Sequence, residues 1–327
     1  MSARLSLALD SGLELPEAGR ILLLHPAGAA DLSALPADRL LAVQPLRPDW
    51  VALDRRGIAA VPELDGEERF AAAVVFVARA KDLARALVAL ACRVTDGPVV
   101  IDGAKTDGVE PLLKALRPRA DLQGNLSKAH GKIAWFDAGP VAGDWAEAPR
   151  EVDGFRTRPG VFSADGIDPA SAMLAGHLPE RLGGHVVDLG AGWGYLSAGL
   201  LGDAGLKRLD LVEADHRALS CARAVIDDPR VAFHWADARD WRPEGAADAV
   251  VMNPPFHAGR AADPGLGRAF IEAAARMLTG SGRLWMVANR HLPYEQALAE
   301  FFAQAEEIGG DGRFKILRAE RPSRRRR

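Results

Sequence analysis

Asn253-Pro254-Pro255-Phe256 is the group in this chain whose residue types and spacing most directly suggest chemistry. Two successive prolines lack backbone donors and hold an extended bend. They can therefore aim one side-chain amide, one carbonyl and one ring at a common point. The Asn253 side-chain oxygen and the Pro254 carbonyl would accept both hydrogens of an amino group on a planar ring, with Phe256 stacked on that ring. The run before them, Asp248 to Met252, reads as a buried strand, which puts the group at a strand's carboxyl end. Taken alone, such a group is equally a proline-rich turn. Residues upstream shift the balance.

His185 to Leu189 reads as a strand, Gly190-Ala191-Gly192-Trp193-Gly194 as a tight turn, and the residues from Leu196 as a helix. The spacing G-x-G-x-G lets backbone pass close to a ligand. It is not the dinucleotide fingerprint, and no Lys-Ser/Thr follows to grip a phosphate. The turn suits a nucleoside with a charged amino-acid tail, which describes S-adenosyl-L-methionine. Asp188, at the strand end, is expected to face the ammonium group of that ligand, directly or through water. Glu213 ends the next strand, 19 residues after Gly194, where an acid accepts from both ribose hydroxyls in doubly wound folds; Ala214 follows it. A third strand, Val231 to Trp235, leads to Asp237 and Ala238, placed to take the adenine amine and hold its ring. Each acid singly is an ordinary cap or loop residue; four such features in this order are not.

These motifs carry a resemblance. Residues 155–320 resemble the class I methyltransferases of the RsmC/RlmG type, which modify the exocyclic amine of guanine in ribosomal RNA, and are closest to the RsmC type. The likeness rests on Gly160-Val161-Phe162-Ser163, Asp188 to Gly194, Asn253 to Gly259, Val287 to Tyr294, and Gly312 to Ile316. It implies that Phe162 and Asn253 belong to the cofactor site and that Asn253, Pro254, Pro255 and Phe256 form the catalytic motif. The motif is shared with DNA adenine, RNA adenine and protein glutamine methyltransferases, so by itself it gives the reaction and not the substrate. The last two blocks are more specific to the ribosomal guanine enzymes.

The first 145 residues alternate strand and helix as well: strands at 21–24, 40–43, 73–77, 98–101 and 132–136, helices at 81–92 and 109–116. No glycine turn with following strand-end acids occurs there. The expected fold is α/β, two tandem doubly wound Rossmann-like methyltransferase folds, the amino-terminal one lacking the cofactor motif. We expect residues 1–145 to be a degenerate domain for substrate placement or structural support, and 146–327 to be the catalytic domain. Ala138 to Asp153, with Gly139, Pro140, Gly143 and Pro149, reads as the linker.

Composition limits the alternatives. At 48% hydrophobic and 26% charged residues the chain is ordinary for a soluble protein. It shows no signal peptide and no run long enough to span a bilayer. Cys92 and Cys221 read as reduced core thiols, and no His/Cys spacing suggests a metal. A cytoplasmic monomer without metal or membrane partner is the expectation. The net charge of −3 is awkward for an RNA enzyme. Local basic runs offset it: Lys105, Lys128 and Lys132 in the first half, His257 and Arg260 after the motif, and an Arg-rich end from Arg318. These are candidate RNA contacts, although a charge run is more often solvated surface.

Guanine's exocyclic amine is a poor nucleophile because its lone pair is delocalised. Acceptors at Asn253 and Pro254 would turn that pair toward the methyl, and Phe256 would contribute stacking of roughly 1–3 kcal/mol. The target base must leave its stack for this to happen. No strong general base is required. The expected partner is ribosomal RNA or a ribosomal subunit, small-subunit RNA first. Two other readings stand beside it: a methyltransferase for a protein glutamine amide, which offers the same planar amine, and a non-catalytic RNA-binding assembly factor that keeps the fold.

Overall fold

Short apolar runs between glycine or polar turns fold here as parallel strands buried on both faces, as βαβ units require. The computed structural model describes residues 3–65, 68–140, 143–255, 257–258, 261–262 and 264–323. The chain divides into two compact units, residues 1–149 with 158–160 and residues 150–157 with 161–327.

The first unit runs α1 (Ala3–Asp10), β1 (Ile21–Leu24), β2 (Leu40–Val43), α2 (Arg47–Arg55), β3 (Ala59–Val61), β4 (Ala72–Phe76), α3 (Lys81–Val94), β5 (Pro98–Ala104), α4 (Val109–Leu116), β6 (Gly124–Lys128) and β7 (Gly131–Asp137). Its sheet has the order β3-β2-β1-β4-β5-β7-β6. The first five strands in that order are parallel, and β7 runs antiparallel to both its neighbours, β5 and β6. All four residues of β1 are fully buried.

The second unit opens with a small hairpin, β8 (Arg150–Val152) and β9 (Phe155–Thr157), then α5 (Pro169–Ala175), β10 (His185–Leu189), α6 (Tyr195–Leu200), β11 (Arg208–Glu213), α7 (His216–Arg223), β12 (Val231–Trp235) and β13 (Ala247–Met252). After β14 (His257–Ala258) and β15 (Ala261–Ala262) come α8 (Pro264–Met277), β16 (Leu278–Asn289), α9 (Tyr294–Phe301), β17 (Phe302–Gly310) and β18 (Phe314–Pro322). The order β12-β11-β10-β13-β16-β18-β17 repeats that of the first unit strand for strand. The doubly wound fold read from the sequence is therefore present twice. The chain order reverses between β10 and β13, so a crevice opens at their carboxyl ends, where such sheets take ligands.

The strands expected from the sequence all form; β3, β6 and β17 are among those that had no clear signal. β3 is short, and β6 and β17 are edge strands. Gly124–Lys128 and Phe302–Gly310 are polar and mostly exposed, because an edge strand needs a partner on one side only and carries charge outward.

A buried charge fixes the opposite, amino end of the second sheet. Asp210 on β11 is fully buried and accepts from His185 Nε2 on β10 at 2.6 Å and His234 Nε2 on β12 at 2.7 Å. Arg208 adds contacts at 3.0–3.2 Å. Burial alone would raise the Asp210 pKa; the three donors hold it well below the carboxylate range. This lowered pKa contributes stability that is present above about pH 4 and lost as the pH falls. Asp210→Ala should lower unfolding stability by about 1–3 kcal/mol at pH 7, since it takes the buried acceptor away from three partly exposed donors. Denaturant unfolding of the full chain measures it; a loss below about 0.5 kcal/mol would mean the network contributes nothing net.

Candidate active site

The glycine turn after β10 is anchored by β11. Gly190 and Ala191 donate their N–H groups to the Val212 carbonyl at 2.8 and 3.1 Å, and Gly192 donates to Glu213 Oε2 at 2.8 Å. The other oxygen, Oε1, accepts from Asp215 N at 2.8 Å. Gly190 has φ 82° and Gly194 φ 89°, and a Cβ on Gly194 would lie 2.9 Å from Ile226 and 3.0 Å from Ala222. Glycine is thus required by conformation at both positions and by packing at Gly194. Burial pushes the Glu213 carboxyl up to about 7.

Asp188 does not line the cleft. Its carboxylate is fully buried beneath the turn, where Oδ2 accepts from Ser197 Oγ at 2.7 Å, and burial raises its pKa to about 6. Its Oδ1 is buried without a hydrogen-bond partner.

The cleft above the turn is lined by Phe162, Ser163, Asp168, Ser171, residues 190–193, Tyr195, Leu196 and Asn253. It gathers five expected residues: Phe162, Gly190, Ala191, Gly192 and Asn253. Phe162 is 61% exposed at its rim, and its carbonyl accepts from Trp193 Nε1 at 2.8 Å. Asn253 follows β13 directly. Its Nδ2 donates to Asp168 Oδ2 at 2.9 Å and to Ser171 Oγ at 2.8 Å. Its Oδ1 is buried without a hydrogen-bond partner. An orphan acceptor of this kind costs about 1–3 kcal/mol unless a ligand fills it. Pro254 is buried and Pro255 exposed beside it.

Asp168, Ser171 and Ser163 carried no assigned role in the sequence reading. Asp168-Pro169 is a legible helix start, and Asp168 does cap α5. Nothing local to it points 85 residues ahead to Asn253.

The other expected residues lie at the ends of β11 and β12. Asp237 accepts from Arg239 N at 2.9 Å and from its guanidinium; burial works against ionisation, but these bonds hold its pKa below the usual value. Ala238 is buried in the core, and the Ala214 carbonyl accepts from Trp235 Nε1 at 2.8 Å. Phe256, the side chain of His257, and Arg260 lie outside the described residues. Arg268 on α8 pairs with Glu300 at 2.7 Å and sits over Phe301.

Beyond Asn253, β16 and β18 end in a shallow concavity of about 500 Å³ lined by Asn289, Arg290, His291, Gly312, Arg313 and Phe314. Arg290 is held by Glu307 and by the carbonyls of Asp311 and Phe314. Arg313 is 70% exposed, 5.2 Å from the Phe314 ring centre. In the first unit, Lys105 and Lys132 both stand 3.7 Å from Glu110, and Lys128 is exposed at the end of β6. Among the described residues no group of three or more His, Cys, Asp or Glu is placed to hold a metal, and no helix is long and apolar enough to cross a membrane.

Known proteins share this arrangement. The sequence profile of the methyltransferase small domain family matches residues 153–318. A ribosomal RNA small subunit methyltransferase C of Pseudomonas paraeruginosa is 32% identical over 322 residues, covering 89% of this chain and 94% of that one. Its namesake in Salmonella gallinarum is 33% identical over 228 residues, 67% of this chain and 66% of that one. The solved structure of the T. thermophilus 16S rRNA N2 G1207 methyltransferase (RsmC), in complex with AdoMet and guanosine, matches with a TM-score of 0.79 at 25% identity, covering 96% of this chain and 90% of that one.

Two buried carboxyls with raised pKa values predict an unusual pH response. Glu213 and Asp188 favour the protonated form when folded, so their contribution to stability is complete below about pH 4 and is lost as the pH rises to about 6 and 7. Without ligand, Glu213→Gln should gain stability relative to the unsubstituted protein between pH 5 and 8. Affinity for S-adenosylmethionine should move the other way, tightening roughly tenfold from pH 6 to 8 as Glu213 ionises, and only in the protein that retains it. Calorimetric titration across that range would reject the assignment if both proteins gave one pH profile.

Proposed function

The chain belongs to the methyltransferase small domain family, among the ribosomal RNA small subunit methyltransferase C proteins, and from that premise we propose that it transfers a methyl group from S-adenosyl-L-methionine to the exocyclic amine of a guanine in small-subunit ribosomal RNA. The observation that carries the site assignment is the buried, partnerless Oδ1 of Asn253 at the wall of the cleft. The residues present fit the cofactor. A turn with glycine at 190, 192 and 194, an exposed ring at Phe162 and a carboxyl at Glu213 suit a nucleoside with a polar tail.

When bound, the cofactor supplies an electrophilic methyl on sulfur. Asn253 Oδ1 and the Pro254 carbonyl accept the two amine hydrogens, orient the nitrogen lone pair and stabilise the positive charge that develops as the N–C bond forms and the S–C bond breaks. The extra proton leaves to water. Glu213 holds the ribose, and Phe162 covers the cofactor from the rim. Phe256 stacks on the guanine. The concavity at Arg313 and Phe314, on the far side of Asn253 from the glycine turn, receives the chain next to the target base. The first unit places the RNA through Lys105, Lys128 and Lys132, or braces the second. Ribosomal subunits and free RNA are both accessible substrates for such a surface, and the bacterial cytoplasm is where they are met. A glutamine-amide substrate has no such need of basic and stacking surfaces.

Asn253→Ala should leave folding and cofactor affinity nearly intact and lower turnover by about 100-fold, as loss of one preorganised polar group does. Tritiated methyl transfer to subunits from cells lacking the gene reads this directly, and unchanged turnover would return the fold to a scaffold role. Replacing Lys105, Lys128 and Lys132 together by Ala should weaken RNA binding and lower its logarithmic salt slope by about 2, at roughly 0.7–0.9 per contact. An unmoved slope would leave the first unit a brace.

A further inference from the structure

An asparagine side chain presents a donor and an acceptor of nearly the same shape, and the chemistry above needs the acceptor. A half-turn of the terminal torsion would exchange the two and put a hydrogen where the lone pair belongs. The contacts of Asn253 prevent that turn. Its nitrogen donates to Asp168 Oδ2 at 2.9 Å and to Ser171 Oγ at 2.8 Å. An ionised carboxylate only accepts, so Asp168 attracts the amide nitrogen and repels the oxygen. Asp168 is itself fixed, because the same Oδ2 accepts from the Ser171 N–H at 2.8 Å as the cap of α5, with Pro169 opening the helix. Ser171 is 8% exposed, so its hydroxyl has little room to rotate away. Both amide hydrogens are thereby consumed inside the protein, and Oδ1 alone remains unpartnered.

We propose that Asp168, with Ser171, is the positioning device of this active site: it locks the Asn253 amide in the orientation that aims Oδ1 at the target amine. The lock rests on the reading of Asn253 as the amine acceptor. It also does electrical work. A negative charge on the nitrogen side of the amide polarises the group and makes Oδ1 a stronger acceptor as positive charge grows on the substrate nitrogen. Asp168 reaches the chemistry only through Asn253, and this gives the proposal a signature that packing alone would not produce.

The informative variant is Asp168→Asn in the full-length protein. Asparagine caps helices about as well as aspartate and keeps the shape, but its own NH2 group can face Asn253 and let that amide turn over. Single-turnover methyl transfer at saturating cofactor should slow by about 10-fold or more, with the thermal midpoint within a few degrees and the cofactor dissociation constant within about threefold. In the Asn253→Ala background the same change should cost nothing further, because no amide remains to be oriented. Full turnover in Asp168→Asn overturns the lock, as does a loss that multiplies with that of Asn253→Ala. A large change in cofactor affinity overturns it too, by making Asp168 a cofactor ligand. If Asp168→Asn fails to fold, Ser171→Ala in the same cycle decides: a several-fold loss that vanishes beside Asn253→Ala supports the lock, and an independent loss or none overturns it. Full turnover in Asn253→Ala itself would remove the catalytic reading and the lock together, whereas loss there with none at Asp168 and Ser171 removes only the lock.

Discussion

The hydrogen bond from the Gly192 N–H to the Glu213 carboxylate joins the two strand ends on which the cofactor cleft is built. A turn of three glycines has little conformational preference of its own and, left alone, would sample many shapes. Here three successive N–H groups, from Gly190, Ala191 and Gly192, are all spent on the end of the neighbouring strand. The turn is thereby held open with its outer face clear. Asp188 and Ser197 close the space beneath it. Burial raises the Glu213 pKa, although both carboxyl oxygens accept from backbone N–H groups, of Gly192 and Asp215.

The first unit shows what the same geometry becomes without that anion. At the position equivalent to Gly190 stands His25, also with a positive φ, 62°, and its N–H again meets the end of the neighbouring strand, at Val43. Where the second unit has Glu213, the first has Gln44, 1% exposed. Its Oε1 accepts from the N–H two residues on, at 2.8 Å, as Glu213 does. Its Nε2, however, donates to the Pro26 carbonyl at 2.7 Å, and Asp49 and Arg56 take the Gly28 N–H and carbonyl. By strand register, Phe76 and Val77 stand where the second unit has Asn253 and Pro254. Polar groups that would face a ligand in the second unit are satisfied internally in the first.

The sequence made legible whatever depends on neighbours along the chain. Apolar runs gave the central strands, and the spacing of Gly190, Gly192 and Gly194 gave the turn, because positive φ and close packing restrict residue type locally. Asn253 and its prolines were readable for the same reason. The Asp168–Asn253 contact was not, since it is made across 85 residues by a helix cap that looks like any other. The burial of Asp188 was not legible on similar grounds: a strand-end acid reads alike whether it is open to solvent or, as here, enclosed beside Ser197. Edge strands β6 and β17 escaped because exposure removes the apolar pattern that betrays a strand.

The unfilled lone pair on Asn253 has a pharmacological meaning. Under the proposed function, a buried acceptor preset for a nitrogen that turns positive only in passing would favour any ligand that carries such a charge permanently. A nucleoside amino acid with a protonated amine in place of the transferable methyl would present a lasting cation to Oδ1, and it should outcompete the neutral thioether product, which offers that oxygen nothing. On that reading, inhibitors would be sought among amines anchored in the cofactor cleft rather than among mimics of the RNA.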